Sequence, residues 1–315
     1  MPSQPQPFRD LNGFFRETFG CRVHKIALDA GLSCPNRDGT LSHGGCAYCN
    51  ARGSGTGAAA AGLSIAQQAA RAKTYLARRF KAKKFIAYFQ SYTNTHAPLE
   101  TLARLWNEAL AGPDVVGISI GTRPDCVPDP VLDLLAKTAA GRMAWLELGL
   151  QSANDATLSR INRGHTAACW TDAASRAQSR GLLVCAHVIL GLPGENRQDM
   201  RRTAEFVAAS GVEGVKIHLL YVVRGTEMER MHQAGEFQCL EQEEYADAVC
   251  DFLERLPQKT VIQRLTGDPH PSELVAPAWC QDKAGALAAI RARLAEKNTW
   301  QGKRYPGESR PPGDF

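Results

Sequence analysis

The chain has 315 residues, 44% hydrophobic and 22% charged, with a formal net charge of +5. That length supports one large α/β domain or two ordinary ones. Ten cysteines are too sparse for a disulfide scaffold, no stretch reaches the length of a membrane span, and Met1–Asp10 is polar and proline-rich rather than a signal peptide. Reduced thiols, a cytoplasmic location and no membrane partner are therefore expected.

Along the chain, short apolar runs alternate with helical patterns. Lys25–Leu28 reads as the first strand. Ser64–Phe80 reads as a helix, with Ser64 and Gln67 spaced as a capping box. Phe85–Phe89, Val115–Ile120 and Trp145–Leu150 read as strands, separated by helices over Leu99–Leu110 and Pro130–Ala139. Ala167–Ser179 reads as a helix that ends near Gly181. Leu183–Leu190, Val215–Leu220 and Val261–Leu265 are further strands, with helices over Arg197–Ala209 and Glu241–Leu256. Such alternation predicts parallel strands joined by right-handed crossovers, in a barrel or an open doubly wound sheet.

In either architecture, function gathers at the C-terminal ends of strands. Cys34, Cys46 and Cys49 begin in the loop after the first strand, with eleven residues in the first gap and two in the second. Three thiolates suit an iron–sulfur cluster that leaves one iron open. They also suit zinc if His43 supplies a fourth ligand, and a disulfide is a third reading. Spacing alone leaves all three standing.

Several segments carry a resemblance. Leu28–Gly39 and Gly45-Cys46-Ala47-Tyr48-Cys49-Asn50 resemble the cluster loop of the radical S-adenosylmethionine (SAM) enzymes. Leu28–Gly39, together with Tyr88–Thr95, Glu147–Ser152, Ile161–His165, His187–Glu195 and Arg264–Asp268, is more specifically similar to a small bacterial family related to the catalytic subunit of Elongator. The resemblance covers roughly Phe14 to Leu294. The eleven-residue first gap departs from the common three and is similar to the Elongator-related group. Elongator's acetyltransferase domain has no counterpart here.

The resemblance implies an α/β fold, a partial (β/α)6 TIM-type barrel with a C-terminal extension. Residues 1–20 would be an N-terminal segment, 21–225 the radical SAM core and 226–300 an extension of the same domain. Residues 301–315, rich in glycine and proline, read as a flexible tail.

The resemblance further implies that Cys34, Cys46 and Cys49 hold a 4Fe–4S cluster whose fourth iron takes SAM. Gln90, Ser91, Tyr92 and Thr93 occupy the position that meets the SAM amino group, although the usual Gly-Gly-Glu is missing. Glu147 and Gln151 fall near the SAM ribose or methionine end. A plain alternative is an ion pair of Glu147 with Arg160 or Arg163, since an unpaired carboxylate in an apolar strand is costly. Those arginines could also meet the SAM carboxylate. His187, Ile189, Gly191, Leu220 and Tyr221 belong to the adenine side, with His187 read first as a core histidine.

By the same resemblance the reaction would be at carbon 5 of a tRNA wobble uridine, with a reducing partner such as flavodoxin or ferredoxin. A radical SAM enzyme on a small metabolite is the runner-up, and a zinc-containing RNA-binding module without catalysis is the reading from another class. Basic residues at 78–84, at Arg197, Arg201 and Arg202, and at Lys303, Arg304 and Arg310 read first as solvated surface and second as an RNA-contacting face. Arg52–Gly57 reads as a cover over the cluster rather than a phosphate loop. Asp125 and Cys126 are possible substrate-facing residues.

Overall fold

The computed structural model describes residues 6–50, 53 and 58–308. Helix α1 (Leu11–Phe19) precedes strand β1 (Val23–Leu28). There follow α2 (Ile65–Phe80), β2 (Lys84–Phe89), α3 (Leu99–Leu110), β3 (Val115–Thr122), α4 (Asp129–Thr138) and β4 (Met143–Gln151). The next elements are α5 (Asp155–Arg160), α6 (Ala167–Gln178), β5 (Leu183–Leu190), α7 (Arg197–Ala209) and β6 (Gly214–Leu219). A last stretch adds β7 (Val222–Val223), α8 (Glu227–Gln233), α9 (Gln242–Leu253), β8 (Val261–Arg264), β9 (Leu274–Ala276) and α10 (Lys283–Glu296).

The main sheet runs β1-β2-β3-β4-β5-β6-β8, and every neighbouring pair is parallel. It is a curled half-barrel with helices on its outer face. The expected six strands become seven, because β8 from the extension pairs with β6 through Val261 and Ile262. Helix α1 packs between β1 and β8, the two edges of the sheet. The Ile262 N–H donates to the carbonyl of Arg9 at 2.8 Å. Phe14 meets Trp145 edge-on, with ring centroids 5.9 Å apart, and Phe15 packs with Val23 and Ile86.

Strand alternation separates two environments. In β4, Leu146, Leu148 and Leu150 join the core beneath the helices, whereas Glu147, Gly149 and Gln151 line the inside of the curl. In β5, Val184, Ala186, Val188 and Leu190 go outward, and His187 and Ile189 go inward. The outward rows make the apolar core that holds the sheet, and this leaves the inward rows free to be polar.

The Ser64–Gln67 capping box is formed at the start of α2. The flexible tail is corrected for residues 301–308. Gln301 is fully buried, and its side-chain amide donates to the carbonyls of Pro257 at 2.6 Å and Thr260 at 2.8 Å. Its Oε1 accepts from the Arg9 N–H at 2.9 Å, tying the end of the chain to its beginning. Residues 309–315 lie outside the described residues. Among the described residues no helix is long and apolar enough to cross a membrane.

Candidate active site

A cavity of about 660 Å³ opens at the C-terminal ends of the strands, within the size range of small-molecule sites. Cys34, Cys46 and Cys49 all line it. So do Gln90, Ser91, Tyr92 and Thr93 after β2, Gln151 at the end of β4, and Arg163 after α5. Glu147 and His187 lie deeper, and Ile189, Leu220 and Tyr221 form the β5–β6 wall.

The cysteine loop is held by its backbone. The Ala47 N–H donates to the Ile161 carbonyl at 2.9 Å, and the Ala47 carbonyl accepts from the Met228 N–H at 2.8 Å. Ala47 and Tyr48 pack with Leu158, Ile161, Ile189 and Leu220, so one small core supports both the loop and the apolar wall. Buried Asn36 donates to the Asn162 carbonyl at 2.6 Å and reaches Cys46 Sγ at 3.5 Å. Burial opposes the Cys46 thiolate, but the Arg163 charge and hydrogen bond, together with Arg123, hold the thiol below its usual value. Burial and the neighbouring Cys46 push Cys49 up.

Several polar atoms here are buried without a partner among the described residues: Ser91 Oγ, Thr93 Oγ1, Arg123 Nη1 and Arg163 Nε. Such atoms are costly unless a ligand satisfies them. Ser91, Tyr92 and Gln151 also hold left-handed backbone, at φ 109°, 56° and 73°. Strain of this kind concentrates at ligand sites. Three thiols, unsatisfied donors and hydroxyls, and an apolar wall fit a thiolate-held cluster beside a polar small molecule. His43 is exposed and does not line the cavity. Among the described residues no three His, Cys, Asp or Glu side chains converge on a position for a single metal ion.

Glu147 is fully buried. The expected pairing with Arg160 or Arg163 is not made. Instead Lys25 Nζ reaches Glu147 Oε1 at 2.5 Å, Lys216 Nζ pairs with Oε2, His187 Nε2 lies 2.8 Å from Oε2, and Ser119 Oγ donates to Oε1 at 2.5 Å. Lys25 also donates to Gln263 Oε1 at 2.7 Å, and Lys216 to the Tyr88 hydroxyl at 3.0 Å. Burial alone would raise the Glu147 pKa, yet Lys216, Lys25 and His187 hold it well below the usual carboxylate range. His187 is pushed down to about 4, by burial first and then by Lys216. It is therefore a neutral, hydrogen-bonded histidine on the cavity wall.

Other expected site residues lie elsewhere. Arg160 is 41% exposed and lies 4.0 Å from Glu236, outside the cavity lining. Gly191, at φ 86°, faces Leu240 rather than the cavity; a Cβ there would stand 3.1 Å from that side chain. Asp125 binds Arg123 in a two-bond pair at 2.9 and 2.8 Å, and Cys126 does not line the cavity. The basic cluster at 78–84 spans the end of α2 and the start of β2, at the opposite end of the sheet from the cavity. Arg197 and Arg201 both bind Asp251, and Arg304 binds Glu254. Arg310 and residues 52 and 54–57 lie outside the described residues, but Gly53 lines the cavity.

Lys25, Arg123, Lys216 and His218 carried no expected role at the site, and Tyr88 and Arg264 stood out only as members of resembling segments. Lys25 and Lys216 stand inside apolar strands, the same signal that singled out Glu147.

Residues 39–207 match the radical SAM superfamily, and residues 212–296 match the radical SAM C-terminal domain. The chain is 43% identical over 298 residues to YtqA of Bacillus subtilis, covering 95% of this chain and 92% of that protein. It is 29% identical over 161 residues to Elongator complex protein 3 of Homo sapiens, across 50% of this chain and 29% of that protein. Among solved structures it is similar to the archaeal Methanocaldococcus infernus Elp3 lacking residues 1–46, with a TM-score of 0.68 at 17% identity; the match covers 89% of this chain and 64% of that one. The superfamily match spans over half the chain and contains Cys46 and Cys49, the curled parallel sheet is shared, and the cavity lies at the expected end of the strands: this chain belongs to the radical SAM superfamily and is a radical SAM enzyme.

Proposed function

We propose that Cys34, Cys46 and Cys49 hold a 4Fe–4S cluster, that SAM binds beside it, and that the enzyme modifies the 5-substituent of a tRNA wobble uridine. Membership of the superfamily implies the cluster and SAM. Together, when bound and reduced, they supply a 5′-deoxyadenosyl radical. The chain's own residues bind, orient and shield. Arg163 stabilises the Cys46 thiolate. Ser91 and Thr93 offer buried hydroxyls to the polar end of SAM, and Ile189 and Leu220 form an apolar surface for adenine.

The observation that carries this reading is the meeting of three thiols, orphaned polar atoms and an apolar wall in one cavity. The tRNA substrate is supported by the likeness to Elongator complex protein 3. The cluster at 78–84 gives it no support, being at the far end of the sheet, and Arg197, Arg201, Arg202 and Arg304 are paired with acids. An electron donor such as flavodoxin or ferredoxin would serve it in the cytoplasm. Anaerobic reconstitution tests the chemistry: bound iron and sulfide and 5′-deoxyadenosine formation are expected, and a colourless protein with one zinc would overturn it. Mass spectrometry of tRNA nucleosides from a deletion strain tests the substrate. An altered wobble uridine is expected, and an unchanged nucleoside profile would redirect the assignment to a small metabolite.

A further inference from the structure

Around the cavity floor the charges do not balance. Lys25, Lys216 and Arg264 bring three cations, and Glu147 is the single carboxylate among them. The two lysines share Glu147. Arg264 is half-buried and lines the cavity, and its guanidinium makes no hydrogen bond or ion pair with any described residue. The acids at the rim are engaged elsewhere: Asp268 binds Lys283 at 2.9 Å, and Glu273 accepts from Asn50 at 2.8 Å.

His218 lines the same wall, and neither of its ring nitrogens is hydrogen-bonded to a described residue. Its ring centroid lies 5.6 Å from that of His187, whose Nε2 is already committed to Glu147. Burial, and then the charge of Arg264, hold His218 well below the usual imidazole value, so it offers an N–H without adding charge. A guanidinium presents five donors in a planar fork matched to oxyanions. Partly desolvated and without an acceptor, it is destabilising until one arrives.

We propose that Arg264, assisted by His218, is an oxyanion receptor for the substrate, so that the group entering the cavity ends in a carboxylate or a phosphate. The receptor is separate from the cations on the cysteine side, where Arg163 donates to Cys46 and Gly149 and Arg123 binds Asp125. The inference rests on the radical SAM reading and narrows it: among 5-substituents, the site selects those that are negatively charged. Arg264 is a specificity-determining residue that touches the substrate's charged end.

The test is ligand-observed NMR on the full chain, reconstituted and SAM-saturated without reductant, titrated with acetate, inorganic phosphate and neutral acetamide. Wild type should bind an oxyanion and not acetamide. Arg264→Gln should weaken that binding about tenfold or more, as loss of a charged hydrogen bond does, and Arg264→Lys should restore part of it. Arg304→Gln, far from the cavity, should bind as wild type. Preference for acetate assigns a carboxylate-ended substrate, and preference for phosphate assigns a phosphorylated one. Equal binding of acetamide and acetate, or undiminished oxyanion binding in Arg264→Gln, overturns the proposal. Should Arg264→Gln fail to fold, Arg264→Lys carries the comparison: weaker oxyanion binding than wild type is expected because the planar fork is lost, and binding equal to wild type overturns the proposal. Iron content and 5′-deoxyadenosine formation are read independently, so loss of the cluster assignment and loss of the receptor are distinguishable.

Discussion

Arg163 joins the cysteine loop to the fourth strand: its Nη1 lies 3.5 Å from Cys46 Sγ, and its Nη2 donates to the Gly149 carbonyl at 3.0 Å. Burial works against the Cys46 thiolate, and Arg163 is the largest influence in its favour. Arg163→Gln should therefore raise the Cys46 pKa, because the charge and hydrogen bond that favour its thiolate are lost while its burial remains. Thiolate absorbance in a Cys34→Ser, Cys49→Ser background reads this directly. Iron incorporation into the otherwise native chain should slow in parallel. A titration identical to that of the background protein would remove Arg163 from the role.

Gly149 lets that arginine sit where it does. A Cβ on Gly149 would stand 2.4 Å from Arg163 Nη2 and 2.6 Å from Gln151 Nε2. Both are side-chain ends, but Arg163 is only 6% exposed and has little room to retreat. Gly149→Ala should displace the guanidinium and reproduce the Arg163→Gln shift at Cys46 with the charge retained. The overpacking should also cost about 1–3 kcal/mol of stability, read as a lower urea midpoint. A Cys46 titration unchanged by this methyl would mean that the guanidinium finds another route to the sulfur.

Much of this site was legible because strand ends are readable. All seven main-sheet strands follow from apolar runs, and the segments after them bring Cys34, Gln90, Ser91, Tyr92, Thr93, Gln151 and Tyr221 to the cavity wall. The misses share a cause: they depend on which inward positions face each other across the curl. Nothing in the sequence says that Lys25 and Lys216, far apart in the chain, converge on Glu147. Arg160 and Arg163 stand three residues apart, yet Arg160, at the end of α5, is exposed and Arg163, in the turn after it, is buried. The helix α10 was missed because its alanines dilute the buried stripe of Ala286, Ile290 and Leu294. Gln301 was misjudged because a composition of glycine and proline hides one buried amide with three backbone carbonyls around it.

The two lysines on Glu147 make a stability prediction. Glu147→Gln leaves two buried cations without their carboxylate, a change that costs about 3–5 kcal/mol where a buried pair loses one member. Urea unfolding should show this loss. Adding Lys216→Met to Glu147→Gln should recover part of it, because one of the stranded charges is removed. A double variant no more stable than Glu147→Gln would mean that Lys216 finds water or another acceptor.

The basic cluster at 78–84 provides a negative control. It lies at the N-terminal ends of the strands, away from the cavity. Reversing Arg78, Arg79 and Lys83 to glutamate should leave turnover of a tRNA substrate and its salt dependence unchanged. A weaker salt slope in that variant would mean that RNA wraps around to this end of the sheet.

His187 predicts how the fold responds to acid. Burial and Lys216 lower its pKa from 6.5 to about 4. Between those values the unfolded chain carries a proton that the folded chain refuses. The unfolded state then binds more protons, so stability rises with pH across the window. The contribution is fully present above about pH 6.5 and is lost as the pH falls to about 4, with a size on the order of 3 kcal/mol. His165, pushed down to about 3 by burial and Arg163, and His218, lowered by burial and Arg264, act in the same direction. Glu147 is held well below its usual 4.5, so its stabilisation persists through this window and fails only at lower pH. Urea midpoints from pH 7.5 to 5 should therefore fall steeply in the wild type. They should fall less steeply in His187→Gln, where His165 and His218 remain. Parallel slopes in the two proteins would show that His187 accepts its proton inside the fold as readily as outside it.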